Sequence, residues 1–161
     1  KLSNQFKEHS IKRSYLAIVW GVINKKGILE NNISRHPYNR KKMHISRNGK
    51  LGITHWKLKQ NFSNIASLIE CNLKTGRTHQ IRVQFANNGN HLIGDKVYYN
   101  PKTKKRYLNK KNQNIFNLLK SFPRQALHAK HLSFFHPTTN EKISFESELP
   151  DDINNLISNF I

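Results

Sequence analysis

Hydrophobic residues along this chain recur first with a period of two and later with a period near four. Residues 15–23, Tyr-Leu-Ala-Ile-Val-Trp-Gly-Val-Ile, are apolar at both parities, which predicts a central strand buried on both faces. Lys25-Lys26-Gly27 predicts a turn. From Ser34 to Gly49 no apolar period survives and Pro37 and Asn39 intervene, so this stretch reads as a long basic loop with a short strand at residues 43–45. Thr54, Trp56 and Leu58 alternate with His55, Lys57 and Lys59, the pattern of a half-buried strand. Ile65, Ser67, Ile69, Cys71 and Leu73 follow after a turn at residues 61–64, and so short a connection predicts an antiparallel hairpin.

Past Thr75-Gly76 the period lengthens. Residues 78–88 predict a helix with Ile81 and Phe85 on one face and Asn88-Gly89 as its stop. Residues 1–9 read as the tail of a helix and residues 102–114 as a polar, mobile loop. Residues 125–135 read as a helical turn running into a strand that His136-Pro137 ends, and residues 142–145 as a further strand. Pro150-Asp151-Asp152 opens a last helix, with carboxylates at the positive end of its dipole and Ile153, Leu156, Ile157 and Phe160 as its stripe. The class is α+β, with mostly antiparallel strands and a few flanking helices.

Charge adds a partner to this outline. The 161 residues, enough for one domain, hold 28 Lys plus Arg against nine Asp plus Glu, a net charge of +19. The basic residues lie before residue 140, where 27 face only four acids; five acids and one lysine follow. No carboxylate occurs between Glu30 and Glu70, and a second acid-free stretch from Lys96 carries Lys102, Lys104, Lys105, Arg106, Lys110 and Lys111. Such a body fits a polyanion. A single cysteine, Cys71, excludes a disulfide framework and a multi-cysteine zinc site and points to a reducing, cytoplasmic setting. The longest apolar run, nine residues, falls short of the roughly 20 a membrane span needs. His128, His131 and His136 have no carboxylate or cysteine near them and share no helix face, so no metal site is expected.

One stretch concentrates directional chemistry: Leu73-Lys74-Thr75-Gly76-Arg77-Thr78-His79-Gln80-Ile81-Arg82-Val83. It places glycine at a strand-to-helix turn, with two arginines flanking His79 and Gln80. Arg82 lies beside Ile81 on a half-apolar helix, so its guanidinium either points inward to an anionic partner or packs its stem and reaches solvent.

This stretch resembles the Leu-x-Thr-Gly-Arg-x-His-Gln-Ile-Arg-Val-His motif of the RNA pseudouridine synthases that modify large-subunit ribosomal RNA. Further pieces follow in the family's order. Residues 11–21 resemble its Lys-x-Tyr-x-Ala-x-x-x-Gly strand and Ser34-Arg35-His36-Pro37 through Lys42-Met43 its basic loop. His91-Leu92-Ile93-Gly94-Asp95 with Tyr98 resembles the turn after the helix, and Gln125-Ala126-Leu127-His128-Ala129 the closing motif. The resemblance implies a curved mixed sheet, isomerisation of uridine to pseudouridine without metal or organic cofactor, ribosomal RNA as partner and a monomer. By position, Tyr15 is the tyrosine that stacks on the flipped base, and Arg82 the arginine that pairs with the catalytic aspartate. The implied RNA contacts are Arg35, Arg40, Lys41, Lys42, Arg77, His79 and Gln80.

Two departures stand out. Gln84 replaces the motif's final histidine. The family's catalytic aspartate belongs to a His-Arg-Leu-Asp motif ahead of the tyrosine strand, and none of the nine acids here matches it. The expectation is that these residues, which open on Lys1, form the C-terminal portion of a catalytic domain and are inactive alone. The alternative is a noncatalytic, basic RNA-binding protein derived from a synthase.

Overall fold

The computed structural model describes residues 1–8, 10–23, 25–109 and 111–160, with the backbone alone at residue 104. The elements in chain order are α1 (Leu2–Lys7), β1 (Lys12–Trp20), β2 (Lys26–Arg35), β3 (Met43–Ile45), β4 (Lys50–Phe62), β5 (Ala66–Leu73), α2 (Gln80–Asn87), α3 (Lys102–Tyr107), α4 (Gln113–Ser121), β6 (Leu127–Phe135), β7 (Lys142–Glu146) and α5 (Asp151–Ser158). The strands form one seven-stranded sheet in the order β3-β2-β4-β5-β1-β6-β7. Every strand pair in it is antiparallel, as the expected α+β class with mostly antiparallel strands requires, and only the expected mixed character is corrected, since the described strands include no parallel pair.

β1 is the central strand that its apolar run predicted, and its two parities serve two cores. Leu16, Ile18 and Trp20 face Phe116 and Leu119 of α4, Phe122, and Ile153 and Leu156 of α5. Ala17 and Val19, with Ile69 and Cys71 of β5, face Ile81 and Phe85 of α2. The β4–β5 hairpin and the last helix form as expected, with Phe160 stacked on Phe62 at 4.4 Å between ring centres.

Three elements differ from the sequence reading. The ten-residue strand β2 begins inside the expected turn at residues 25–27, fills residues 28–33, to which the sequence reading assigns no element, and ends inside the expected loop from Ser34. Ile33 alone is buried in it, so its polar residues hide the alternation. The expected loop at residues 102–114 contains α3 and runs into α4, whose Phe116 and Leu119 are spaced for one buried face. Lys110 and the Lys104 side chain lie outside the described residues. Among the described residues no helix is long and apolar enough to cross a membrane.

Candidate functional site

α2 starts immediately after a tight corner. His79, the residue before it, has φ 54° and ψ 22°, a left-handed conformation uncommon for a residue with a side chain. Its Nδ1 lies 3.1 Å from the Tyr98 hydroxyl, which accepts the Met43 N–H at 2.8 Å. The hydroxyl proton is therefore available to His79. Burial, reinforced by the charge of Arg82, pushes the His79 imidazole below its ordinary value and favours the neutral ring that accepts it.

Three residues into α2, Arg82 points inward. Its Nε donates to Asp95 Oδ2 at 2.6 Å and its Nη2 to Asp95 Oδ1 at 2.8 Å, a bidentate fork, while the guanidinium lies 5.1 Å from the centre of the Tyr98 ring. The Asp95 side chain is wholly buried and that of Arg82 is 11% exposed. The Val97 and Tyr98 N–H groups also donate to Asp95 Oδ1. Burial alone would raise the Asp95 carboxyl, but the Arg82 hydrogen bonds and charge, with the two backbone donors, hold it below the usual value. The same fork raises Arg82. Of the two sequence readings of Arg82, the inward one is correct, and its partner within this chain is Asp95. The turn that presents Asp95 needs Gly94: its φ is +70°, and a Cβ there would come within 1.9 Å of the Arg124 carbonyl oxygen.

The two glutamines of α2 do something different from what their motif implied. Gln80 is buried; its Oε1 accepts from the Thr75 hydroxyl and the Arg77 N–H, and its Nε2 donates to Ile53 O and Thr54 Oγ1. As an RNA contact it is corrected to an internal staple, because its hydrogen-bonding groups are consumed inside the fold. Gln84 is equally internal, accepting from Thr54 Oγ1 at 2.6 Å and donating to the carbonyls of Leu29 and Gly52. Replacing the motif's histidine, it joins α2 to β2 and β4.

Tyr15 is half-buried on β1, opposite Cys71 of β5 and Ala129 of β6, and packs on the core that includes Ile81 and Phe85. Arg13, two residues earlier on the same face, was missed by the sequence reading although the alternation of a strand places it there. Its guanidinium occupies the space above Gly76, where a Cβ would stand 2.4 Å from Nη1, and its Nε is buried with no partner among the described residues. Phe6 covers it at 5.6 Å.

The remaining predicted contacts line the surface. Arg77 donates from Nε to Leu51 O. Arg35 spends one guanidinium nitrogen closing its own loop onto Arg40 O, while Arg40 and Lys41 are exposed and Lys42 is half-buried. This loop is tied to the Arg82 cluster through the bond from Met43 to Tyr98. His128, His131 and His136 engage separate partners, Ser147 O, Glu146 and Thr139. Tyr98 and Asp95 belong to the quoted turn motif, yet only the fold shows that they brace Arg82.

A family model described as RNA pseudouridylate synthase matches residues 1–87. The chain is 42% identical over 154 residues to the ribosomal large subunit pseudouridine synthase D of Zymomonas mobilis, which takes in 94% of this chain and 46% of the relative. It is 42% identical over 156 residues to the synthase D of Neisseria meningitidis, with 96% and 40% covered. The chain thus spans less than half the length of these relatives. Among solved structures, human RNA pseudouridylate synthase domain containing 1 superposes with a TM-score of 0.72 at 23% identity, covering 92% of this chain and 58% of that one. Human RNA pseudouridylate synthase domain containing 4 gives 0.74 at 18%, covering 99% and 66%, so the fold is shared. With the ordered motifs in place on that fold, the chain belongs to the RNA pseudouridylate synthase family.

Proposed function

We propose that this chain is the part of an RNA pseudouridine synthase that supplies the base-stacking tyrosine and the carboxylate-holding arginine. The complete enzyme isomerises uridine in large-subunit ribosomal RNA. The observation that carries this reading is Arg82. Two of its nitrogens grip Asp95, and its Nη1 makes no hydrogen bond among the described residues, leaving one edge for a second carboxylate. A nucleophilic aspartate held there would be kept ionised by the adjacent positive charge.

The reaction breaks the N1–C1′ bond, turns the freed uracil, joins C5 to C1′ and releases the C5 proton while N1 gains one. Atoms balance within one nucleoside, so no metal or organic cofactor is required. Tyr15 stacks on the extruded base, and the basic loop offsets the few kcal/mol that extrusion costs. The enzyme acts as a monomer in the cytoplasm. The printed names of the relatives support ribosomal RNA as the substrate class.

No His-Arg-Leu-Asp motif lies within the 161 residues, so the chain alone should form no pseudouridine. Base-resolved detection after incubation with unmodified large-subunit RNA tests this. Fusing a segment with that motif ahead of the chain should restore turnover, and Arg82→Ala in the fusion should abolish it. Turnover by the chain alone, or a fusion indifferent to Arg82→Ala, overturns the reading. The noncatalytic alternative predicts instead a fusion without activity and salt-sensitive RNA affinity unchanged by Arg82→Ala.

A further inference from the structure

The loop joining β2 to β3 is short of carboxylates, rich in cations and internally braced. His36 N–H donates to Lys42 O and Lys42 N–H to Asn39 O, while Arg35 Nη1 reaches Arg40 O. The His36 Nδ1 accepts the N–H groups of Tyr38 and Asn39, and Asn39 Oδ1 accepts that of Lys41. These bonds hold the backbone in one conformation. At its tip stands Tyr38, 94% exposed, with no side-chain hydrogen bond among the described residues. Its ring meets the His36 ring at 67° with centres 6.2 Å apart, so one edge contact orients it while its face stays open.

A tyrosine so exposed contributes nothing to the core, and a water-facing aromatic on a preorganised cationic loop has the makings of a stacking platform. The loop also reaches the site through the Met43 N–H on Tyr98, whose ring lies beneath Arg82. We propose that Tyr38 stacks on an unpaired RNA base flanking the target uridine, while Arg40 and Lys41 neutralise the adjoining phosphates. Resting on the RNA-modifying reading above, this makes the loop a reader of single-stranded character. Stacking is tolerant of base identity, so the loop would select unpaired over paired RNA rather than one base over another.

The test is fluorescence anisotropy of this chain with a labelled stem–loop RNA and with a blunt duplex of the same stem. Tyr38→Ala and Tyr38→Leu should weaken stem–loop binding about tenfold. Both should leave duplex binding and the salt dependence unchanged, and Tyr38→Trp should retain affinity. The indole of Tyr38→Trp should be quenched on adding the stem–loop. Wild-type affinity with no loss in Tyr38→Ala overturns the stacking proposal alone. Equal losses on both RNAs overturn it in favour of a general loop role, and a Tyr38→Trp indole that stays unquenched points to a protein partner instead. Failure of the wild-type chain to bind either RNA would sink the RNA reading itself.

Discussion

Asp95 favours its ionised form although its side chain is wholly buried, because four donors converge on it, two from Arg82 and two from the backbone of the turn that follows. Removing the charge from one side leaves a guanidinium with little solvent to turn to. Asp95→Asn should therefore destabilise the chain by about 3 kcal/mol, read as a lowered urea midpoint. A second residue carries a pH signature. His91 is buried against Trp20 and Tyr99, with Nε2 3.3 Å from the Thr103 hydroxyl, and burial pushes it down to about 4 despite the opposing pull of Asp95. The unfolded ring takes up its proton near 6.5. Stability from the neutral ring is thus complete above that pH and is lost as pH falls through 6.5 toward 4, by about 3 kcal/mol in all. Urea melts at pH 7.5 and pH 5 should differ in the wild type, and the difference should shrink in His91→Gln to the smaller part that His79 leaves. The sequence marked Arg82 as the residue needing a partner, yet Asp95 could not be chosen because the pairing spans a turn whose shape Gly94 alone permits.

Elements here are locked by polar staples as well as apolar stripes. Gln80 and Gln84 lie one turn apart on α2 and meet at Thr54, one donating to its hydroxyl and the other accepting from it. Gln84→Ala would leave the Thr54 O–H without its acceptor and take a buried donor from the Leu29 and Gly52 carbonyls. A loss of about 3 kcal/mol is expected, with the melting transition still cooperative. Gly94→Ala forces a side chain into left-handed backbone and against the Arg124 carbonyl. It should cost at least about 2 kcal/mol, seen as a lowered melting temperature, and detach Asp95 from Arg82. Strong periodicity was legible: β1, the β4–β5 hairpin, α2 and α5 follow from spacing alone. β2 and α4 were not, because β2 buries one side chain in ten and α4 begins within the polar stretch that reads as a loop through residue 114.

At the scale of the whole molecule, the positive charge lies before residue 140 and five of the nine acids after it. Asp152 of α5 is consumed by a bidentate contact with Arg124, 2.7 Å on each side, which anchors the acidic end of the chain. RNA affinity should therefore fall steeply with salt. Neutralising Lys41 and Lys42 together should flatten the slope of log K against log salt by about 1.4, from roughly 0.7 per contact on single strands. An unchanged slope would remove these lysines from the RNA surface.

The position of β1 also sets an order in time. It comes early in the chain but pairs with β5, and then with β6 more than a hundred residues downstream. The pairings of β2 with β3, β2 with β4 and β4 with β5 are closer in sequence, so they can form while β1 waits. Distant pairings pay their closure entropy late and slow the approach to the native state. In pulse-labelled hydrogen exchange, amides of β4 and β5 should gain protection before those shared by β1 and β6. Tyr15 would then be set in place among the last residues, when the final strands of the sheet close around it.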